Sequence, residues 1–220
     1  MSGTSLGIHP LDTANRASVG AINFAPGATA AGSAPTSTKK NVHGVLNAVS
    51  WGILMPMGVM IARYVKVFKI ANPAWFYLHV VCQSAAYIIG VAGWGTGLKL
   101  GSDSPGIKYN KHRNIGITLF CLGTLQLLRP KPDHKYRLYW NVYHHAIGYC
   151  TIALSIVNIY EGLDILNHPE DKWKWIYTGI IIFLGAVAVV LEVVTWIIVI
   201  RRKKTVNSSK HVNGYSQQSV

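Results

Sequence analysis

The sequence predicts an all-α membrane protein with five transmembrane helices, the first four forming a bundle. Three observations support this fold class: long apolar runs, basic residues confined to the loops and helix ends between them, and aromatic residues that flank the runs. A soluble helix needs a polar face, which runs of this length lack. A membrane β-barrel would need segments of about 10 residues with alternating polarity, and the sequence shows none.

Five apolar segments follow one another, and we assign one helix to each. They are Val42–Tyr64, Trp75–Leu98, Arg113–Leu128, Tyr139–Leu163 and Trp175–Ile200. A hydrocarbon core of about 30 Å requires about 20 helical residues, and four segments have at least 22. The third is the shortest, and it spans if Lys111 and His112 open its first turn. Glu192, the one acid of the fifth, is expected to face the protein interior in a structural role.

The formal net charge of +13 does not predict nucleic-acid binding, because Lys and Arg lie in short loops and at helix ends. That placement is typical of contact with lipid headgroups and of topology control. Loops on the N-terminal side carry eight basic residues, and the opposite side carries eleven, including the run from Arg201 to Lys204. We therefore predict a multi-pass protein of the plasma membrane with its N-terminus outside and its C-terminus cytosolic.

The two ends of the chain differ in composition from the membrane part. Residues 1–40 are rich in Ser, Thr, Gly, Ala and Pro and contain no signal peptide, which predicts a disordered extracytoplasmic linker. Residues 41–204 form the predicted transmembrane domain. Residues 205–220 are polar and predict a disordered cytosolic tail. An outside N-terminus without an export signal suggests that an upstream part is missing.

Histidines stand at or near the start of the first four segments: His43, His79, His112 and the pair His144 and His145. Successive membrane helices are antiparallel, so His43 and His112 share one membrane face, and His79 and His144 share the other. A histidine in a transmembrane segment is costly and usually functional, although any one of these could merely contact headgroups. Four in consecutive helices favour two bis-histidine sites stacked across the bilayer.

Stripes of mostly small or polar residues continue from three of these histidines at helical spacing. From His79 they are Gln83, Ala86, Gly90 and Gly93; from His112, Gly116, Leu119, Gly123 and Gln126; from His144, Gly148, Thr151, Ser155 and Asn158. Small residues leave room for a flat macrocycle between helices. They equally allow close helix packing, and the stripes alone do not separate the two interpretations.

The residues that follow at helical spacing also distinguish His144 from its neighbour His145. The face that continues from His145 is bulky, consisting of Tyr149, Ile152, Ile156 and Ile159. A bulky face suits lipid or a neighbouring helix, so we choose His144 as the ligand and keep His145 as its alternate.

Two well-separated histidine pairs favour heme over zinc, because zinc usually requires four ligands in tetrahedral geometry. With both axial positions filled by imidazole, a heme iron has no open position. Such a heme is suited to electron transfer rather than to oxygen chemistry.

Six motifs resemble the cytochrome b-561 family, over roughly Asn41 to Ile200. They are Lys-Asn-Val-His-Gly at 40–44, Ser-Trp-Gly at 50–52, Trp-Phe-Tyr-Leu-His at 75–79, Lys-His-Arg-Asn-Ile-Gly at 111–116, Leu-Arg-Pro at 128–130 and Tyr-Trp-Asn-Val-Tyr-His-His at 139–145. More narrowly, the chain is similar to the plant branch in which this core follows an extracellular DOMON domain. These 220 residues contain no DOMON domain, which leaves the redox partner that it would supply in doubt.

The resemblance implies two b-type hemes, with His43, His79, His112 and His144 as their axial iron ligands. It also implies one-electron transfer across the membrane from ascorbate to monodehydroascorbate or a ferric chelate, as an oxidoreductase of the ferric or monodehydroascorbate reductase class. Because ascorbate is an anion, basic residues beside each heme are candidate substrate contacts. They are Lys108, Lys111 and Arg113 outside, and Arg63, Lys66, Arg129 and Lys131 inside.

A second hypothesis needs no cofactor. In it the chain is a non-redox membrane interaction or scaffold protein, whose histidines lie at the bilayer interface and whose small-residue stripes pack helices.

Overall fold

The computed structural model describes residues 37–104, 109–131, 133–166 and 172–216, and this part of the chain is helical, without a strand. Helix α1 has three consecutive parts: the α-helix Ser37–Asn47, the π-helix Ala48–Leu54 and the α-helix Met55–Tyr64. The other long helices are α2 (Ala74–Ser102), α3 (Asn110–Leu125), α4 (Arg137–Leu166) and α5 (Lys172–Ser216). Two short 3₁₀ turns, Val65–Val67 and Lys69–Ala71, join α1 to α2.

The predicted all-α membrane fold is confirmed. Four helical spans are long and apolar enough to cross a bilayer: Thr38–Val67, Ala74–Ser102, Arg137–Leu166 and Lys172–Thr205. Helix α3 is shorter, with 16 residues. It begins three residues before the predicted start, so Lys111 and His112 do lie in its first turn, and it ends three residues before the predicted end.

The predicted domain boundaries at 40 and 204 stay predictions. Most of the predicted linker, residues 1–36, lies outside the described residues, and so do residues 217–220. Helix α5 continues past Lys204 to Ser216, into the polar segment that the sequence predicts as a disordered tail.

The first four helices pack around a central layer of small and aromatic side chains. Helix α1 packs on α2 and α4, and α3 packs on α4. In the central layer the Ser50 hydroxyl donates a hydrogen bond to the Ala86 carbonyl at 2.6 Å, and the Ser155 hydroxyl donates one to the Trp51 carbonyl at 3.2 Å. Ser50, Ala86 and Ser155 are fully buried, so the helix backbones approach one another closely at this depth.

Gly90 shows why the α2 stripe consists of small residues. A Cβ atom at this position would lie 2.6 Å from the Ser50 Oγ and 2.7 Å from the Trp51 Nε1. A Cβ at Gly93 would lie 2.7 Å from the Asn47 Nδ2. Close helix packing therefore explains this part of the stripe.

The π-helical part of α1 carries Trp51 into the centre of the bundle. The N–H of Met55 bonds to the carbonyl of Ser50, five residues earlier. Pro56 follows, and in a regular α-helix its ring would clash with the carbonyl of Gly52, four residues before it. The wider turn relieves that clash and buries Ser50, Trp51 and Gly52 in succession.

Helix α5 packs against α1 from outside the four-helix core. The Tyr177 ring lies against Gly52, where a Cβ would be 2.8 Å from its Cε2 atom. Near the other end, Arg63 Nη2 and Trp196 Nε1 both donate to Glu192 Oε1, at 2.6 and 3.0 Å. Glu192 thus ties α5 to α1, which agrees with the structural role expected for it.

Candidate functional site

The bundle has two ends, each of which holds one histidine pair. We call the end with the starts of α1 and α3 the first end, and the end with the starts of α2 and α4 the second end. The antiparallel order of the helices brings together His43 with His112, and His79 with His144.

At the first end, the His43 and His112 rings lie with their centroids 5.9 Å apart and their planes at 80°. The Nδ1 of His43 donates to the Gly93 carbonyl at 2.9 Å, and the Nδ1 of His112 donates to the Asn158 carbonyl at 3.0 Å. A carbonyl can only accept, so the proton is on Nδ1, and Nε2 keeps the lone pair that a metal needs. Ligating histidines are commonly oriented in this way.

At the second end, the His79 and His144 centroids lie 6.2 Å apart, with the ring planes at 85°. The Nδ1 of His79 donates to the Gly58 carbonyl at 2.8 Å. The His144 ring stacks on Trp140, with centroids 4.5 Å apart and an interplanar angle of 17°. Its Nδ1 is buried and has no hydrogen-bond partner among the described residues.

Both ring separations match a metal ion placed between two imidazoles. A metal–imidazole bond is about 2 Å long, and the bonded nitrogen lies about 1 Å from the ring centre, so two imidazoles on opposite sides of one ion have ring centres about 6 Å apart. The observed values are 5.9 and 6.2 Å. Among the described residues no three His, Cys, Asp or Glu side chains cluster as a metal site built from protein alone would require.

His145 has different surroundings from His144. It is exposed, its Nδ1 donates to the Asn141 carbonyl of its own helix at 2.6 Å, and its ring contacts His144. The ring contact with His79 is made by His144. This geometry supports the choice of His144, although its role as a ligand stays a prediction.

Helix α2 contacts both histidine pairs, so the spacing of its residues gives the distance between the pairs. His79 belongs to the second pair, and Gly93, fourteen residues later, accepts the hydrogen bond of His43 in the first pair. At 1.5 Å per residue this is about 21 Å. The tightly packed layer around Trp51 fills the space between the pairs.

Several glycines near the histidines are less tightly packed than those of the central layer. A Cβ at Gly44 or Gly148 would meet no other atom within 4 Å, and one at Gly116 would meet only the Asn158 Nδ2, at 3.6 Å. In contrast, Gly97 and Gly162 lie against the rings of His43 and His112, where a Cβ would be 2.7 and 3.1 Å from the ring Cε1 atoms. Gly97 and Gly162 thus support the rings of His43 and His112 from one side.

One of the three candidate substrate contacts at the first end is paired with an acid. Lys111 Nζ lies 2.5 Å from Glu161 Oε1. Arg113 is exposed and has no acidic partner in the described part of the chain, and Lys108 lies outside the described residues. Nearby, Lys39 and Lys99 both pair with Asp103, at 3.0 and 2.9 Å, and hold the pKa of its carboxyl below the ordinary value, with Lys99 contributing most.

Two of the four candidate contacts at the second end lie on aromatic rings instead. Lys66 Nζ is 5.2 Å from the Trp75 ring centroid, and Arg129 Cζ is 4.2 Å from that of Phe76. Lys131 is exposed. Arg63 pairs with Glu192. A cation on a ring keeps its full charge, so this end presents more uncompensated positive charge among the described residues.

Two residues at the second end of the bundle were not predicted as part of the site. Trp140 is four residues before His144, and this spacing puts both on one helix face, so the stacking could have been found. Gln126 closes the stripe from His112, but nothing in the sequence indicates that its amide is buried without a partner.

Comparison with known proteins identifies a family and several similar chains. A family model for eukaryotic cytochrome b561 matches residues 42–169. Three cytochrome b561 and DOMON domain-containing proteins of Arabidopsis thaliana are 59, 57 and 57% identical, over 94, 93 and 96% of this chain and 54, 52 and 55% of their own length. The chain thus spans about half the length of these curated relatives. No solved structure matches it.

Proposed function

The chain belongs to the eukaryotic cytochrome b561 family, and from this premise we propose that it carries electrons across a membrane on two b-type hemes. His43 and His112 would hold one heme, and His79 and His144 the other. The observation that carries the proposal is the two imidazole pairs at opposite ends of one bundle, with ring centroids 5.9 and 6.2 Å apart.

The protein's own groups orient the ligands and close the iron to other molecules. The carbonyls of Gly93, Asn158 and Gly58 fix three of the four imidazoles with Nε2 directed away from the hydrogen bond. With both axial positions taken, a bound heme supplies a one-electron couple and no site for oxygen. The tightly packed layer around Trp51 keeps water out of the space between the pairs.

We propose that the second end is cytosolic and accepts electrons from ascorbate. The basic cluster from Arg201 to Lys204 follows the apolar part of α5 on this side, as the positive-inside rule expects of a cytosolic end. Lys66 and Arg129 lie on aromatic rings rather than against carboxylates. Their charge would raise the local concentration of the ascorbate anion.

At the first end we propose transfer to an extracytoplasmic acceptor, monodehydroascorbate or a ferric chelate, as an oxidoreductase of the plasma membrane. The names of the Arabidopsis relatives include a DOMON domain. A DOMON domain at the first end would be a redox partner here. The pairing of Lys39, Lys99 and Lys111 with acids argues against a second strongly anion-attracting surface on this side.

An optical spectrum tests the central proposal. Purified protein reduced with dithionite should show a sharp low-spin b-type band and contain two hemes per chain. A colourless preparation would favour the non-redox interaction protein, for which the tight contacts at Gly90 and Gly93 are the supporting observation. Liposomes loaded with ascorbate, with a ferric acceptor outside, then distinguish transmembrane transfer from a one-sided reductase.

A further inference from the structure

His144 differs from the other three paired histidines in its hydrogen bonding. His43, His79 and His112 each donate from Nδ1 to a backbone carbonyl of a neighbouring helix. The Nδ1 of His144 is also buried, but it has no partner among the described residues. A buried polar atom without a partner is destabilising and calls for an explanation.

Gln126 presents the complementary anomaly. Its Oε1 and Nε2 are both buried, and neither has a partner in the described part of the chain. Its backbone continues the helical conformation directly after α3, with φ −68° and ψ −18°. It follows the buried residues Leu119 and Gly123 at helical spacing, so its side chain shares their face toward the bundle centre.

The hydrogen bond between His112 and Asn158 places Gln126 and His144 at one level. It joins α3 and α4 at the first end. Gln126 is fourteen residues after His112 on α3, and His144 is fourteen residues before Asn158 on the antiparallel α4. Each is therefore about 21 Å from that bond along its own helix, which puts the two at the same level of the α3–α4 contact.

The chemistry of the unpaired atoms singles out Gln126 as the acceptor. Trp140 Nε1, stacked beside His144, is also buried without a partner in the described residues. An indole N–H can only donate, whereas an amide oxygen accepts. Asn158 has an unpaired Oδ1, but it lies at the first end beside His112.

We propose that Gln126 is the positioning residue of His144: its Oε1 accepts the Nδ1 hydrogen, directly or through one water, when heme is bound. This inference rests on the proposed function, because it takes His144 as an axial ligand. Three ligands are then fixed by main-chain carbonyls, and the fourth by a side chain. A stronger acceptor makes the imidazole more basic and favours the ferric iron, so this contact tunes the reduction potential of the second heme.

Potentiometric titration of both hemes in the full chain tests this, using Gln126→Leu and Gln126→Glu. Gln126→Leu should raise the potential of one heme only, with about a tenfold change in its ferric-to-ferrous ratio at fixed ambient potential, equivalent to about 59 mV. Gln126→Glu should lower the potential of the same heme. Heme affinity at that site should fall about tenfold in Gln126→Leu, as is typical when a ligand's supporting contact is lost.

Thr124→Val is the matched control, because it also removes a polar group from α3. Thr124 is exposed and bonds to Tyr87 and the Phe120 carbonyl, away from the histidines. It should leave both potentials unchanged. If Gln126→Leu does not fold, Gln126→Glu keeps the size and polarity and decides the question by the sign of its shift.

Two results would overturn the inference. Unchanged potentials in both Gln126 variants, or equal shifts of both hemes that Thr124→Val reproduces, would show that Gln126 does not act on His144, while leaving the two-heme proposal intact. A wild-type protein without two low-spin hemes would remove the proposed function and this inference together.

Discussion

The two ends of the bundle have similar imidazole geometry but different surroundings. At the first end, both histidines donate to main-chain carbonyls and three lysines are paired with acids. At the second end, one histidine lacks a hydrogen-bond partner among the described residues, and two of the cations lie on aromatic rings. The positions of the histidines set where the two proposed hemes would bind, whereas the charges and hydrogen bonds around them set how the two ends differ.

Removing one ligand from each end should produce the largest effects. His112→Ala and His79→Ala should each reduce the heme content from two per chain to one and abolish electron transfer through liposomes, because each removes half of a bis-imidazole site. Pyridine hemochrome content and dithionite spectra measure this. Loss of both hemes in either variant would show that the ends do not bind independently.

The neighbouring histidines sharpen the comparison at the second end. His144→Ala should lose one heme, whereas His145→Ala should retain both, because His144 makes the ring contact with His79 while His145 bonds within its own helix. Heme content and the optical spectrum are again the readout. The reverse pattern would make His145 the ligand.

The comparison of the two ends assumes that the central layer between them is rigid. A substitution at Gly90 tests this assumption. Gly90→Val should destabilise the protein by about 1–3 kcal/mol, as overpacking of a dense core does, because Ser50 and Trp51 fill the space. Thermal unfolding in detergent measures the change. Gly185→Ala is the control, since a Cβ there meets no other atom within 4 Å, and its melting temperature should be equal or higher.

Neutralising basic side chains should change the reduction of heme by ascorbate more at the second end than at the first. Lys66→Gln combined with Arg129→Gln should raise the ascorbate concentration for half-maximal heme reduction by about tenfold at low salt, and less at high salt, because electrostatic steering is lost. Lys111→Gln should change it little, since Glu161 already compensates that charge. Similar effects of the two changes would contradict the proposed asymmetry.

The ion pairs of Asp103 should give the smallest effect. Because Lys99 and Lys39 hold its pKa low, its contribution to stability is present at neutral pH and is lost as the pH falls through that lowered pKa. The carboxylate is exposed to solvent, which screens it, so Asp103→Asn should lower the melting temperature only slightly at neutral pH. The difference from wild type should vanish in acid, and a difference that grows in acid would exclude this account.

The fold and the pairing of the histidines could be predicted because both follow from simple regularities. Segment length fixed the helices, and antiparallel order determined that His43 would meet His112 and that His79 would meet His144 or its neighbour. The α2 stripe was harder, since small residues suit both a cofactor and close packing, and only Ser50 and Trp51 against Gly90 reveal the second use.

Side-chain pairing could not be read from the sequence. Arg63, Lys66, Lys111 and Arg129 are all basic residues near helix ends, yet two bind carboxylates and two lie on rings. Those choices depend on the lateral placement of neighbouring helices, which hydropathy does not encode. The π-helical part of α1 was also unforeseen, although Pro56 is a local signal for an irregular helix.

The π-helical part Ala48–Leu54 also determines how α1 would respond to the loss of one residue between the two ends. A wide turn of this kind corresponds to one extra residue within an otherwise regular helix. Deleting one residue there would restore an ordinary helix, and Gly58 and everything after it would keep nearly the same orientation relative to His43, because the wide turn already accommodates the extra residue. Deleting one residue from the regular α-helical parts between His43 and Gly58 would instead rotate one end relative to the other by about 100°, so the π-helical part is where α1 can lose a residue and keep the two histidine pairs in phase.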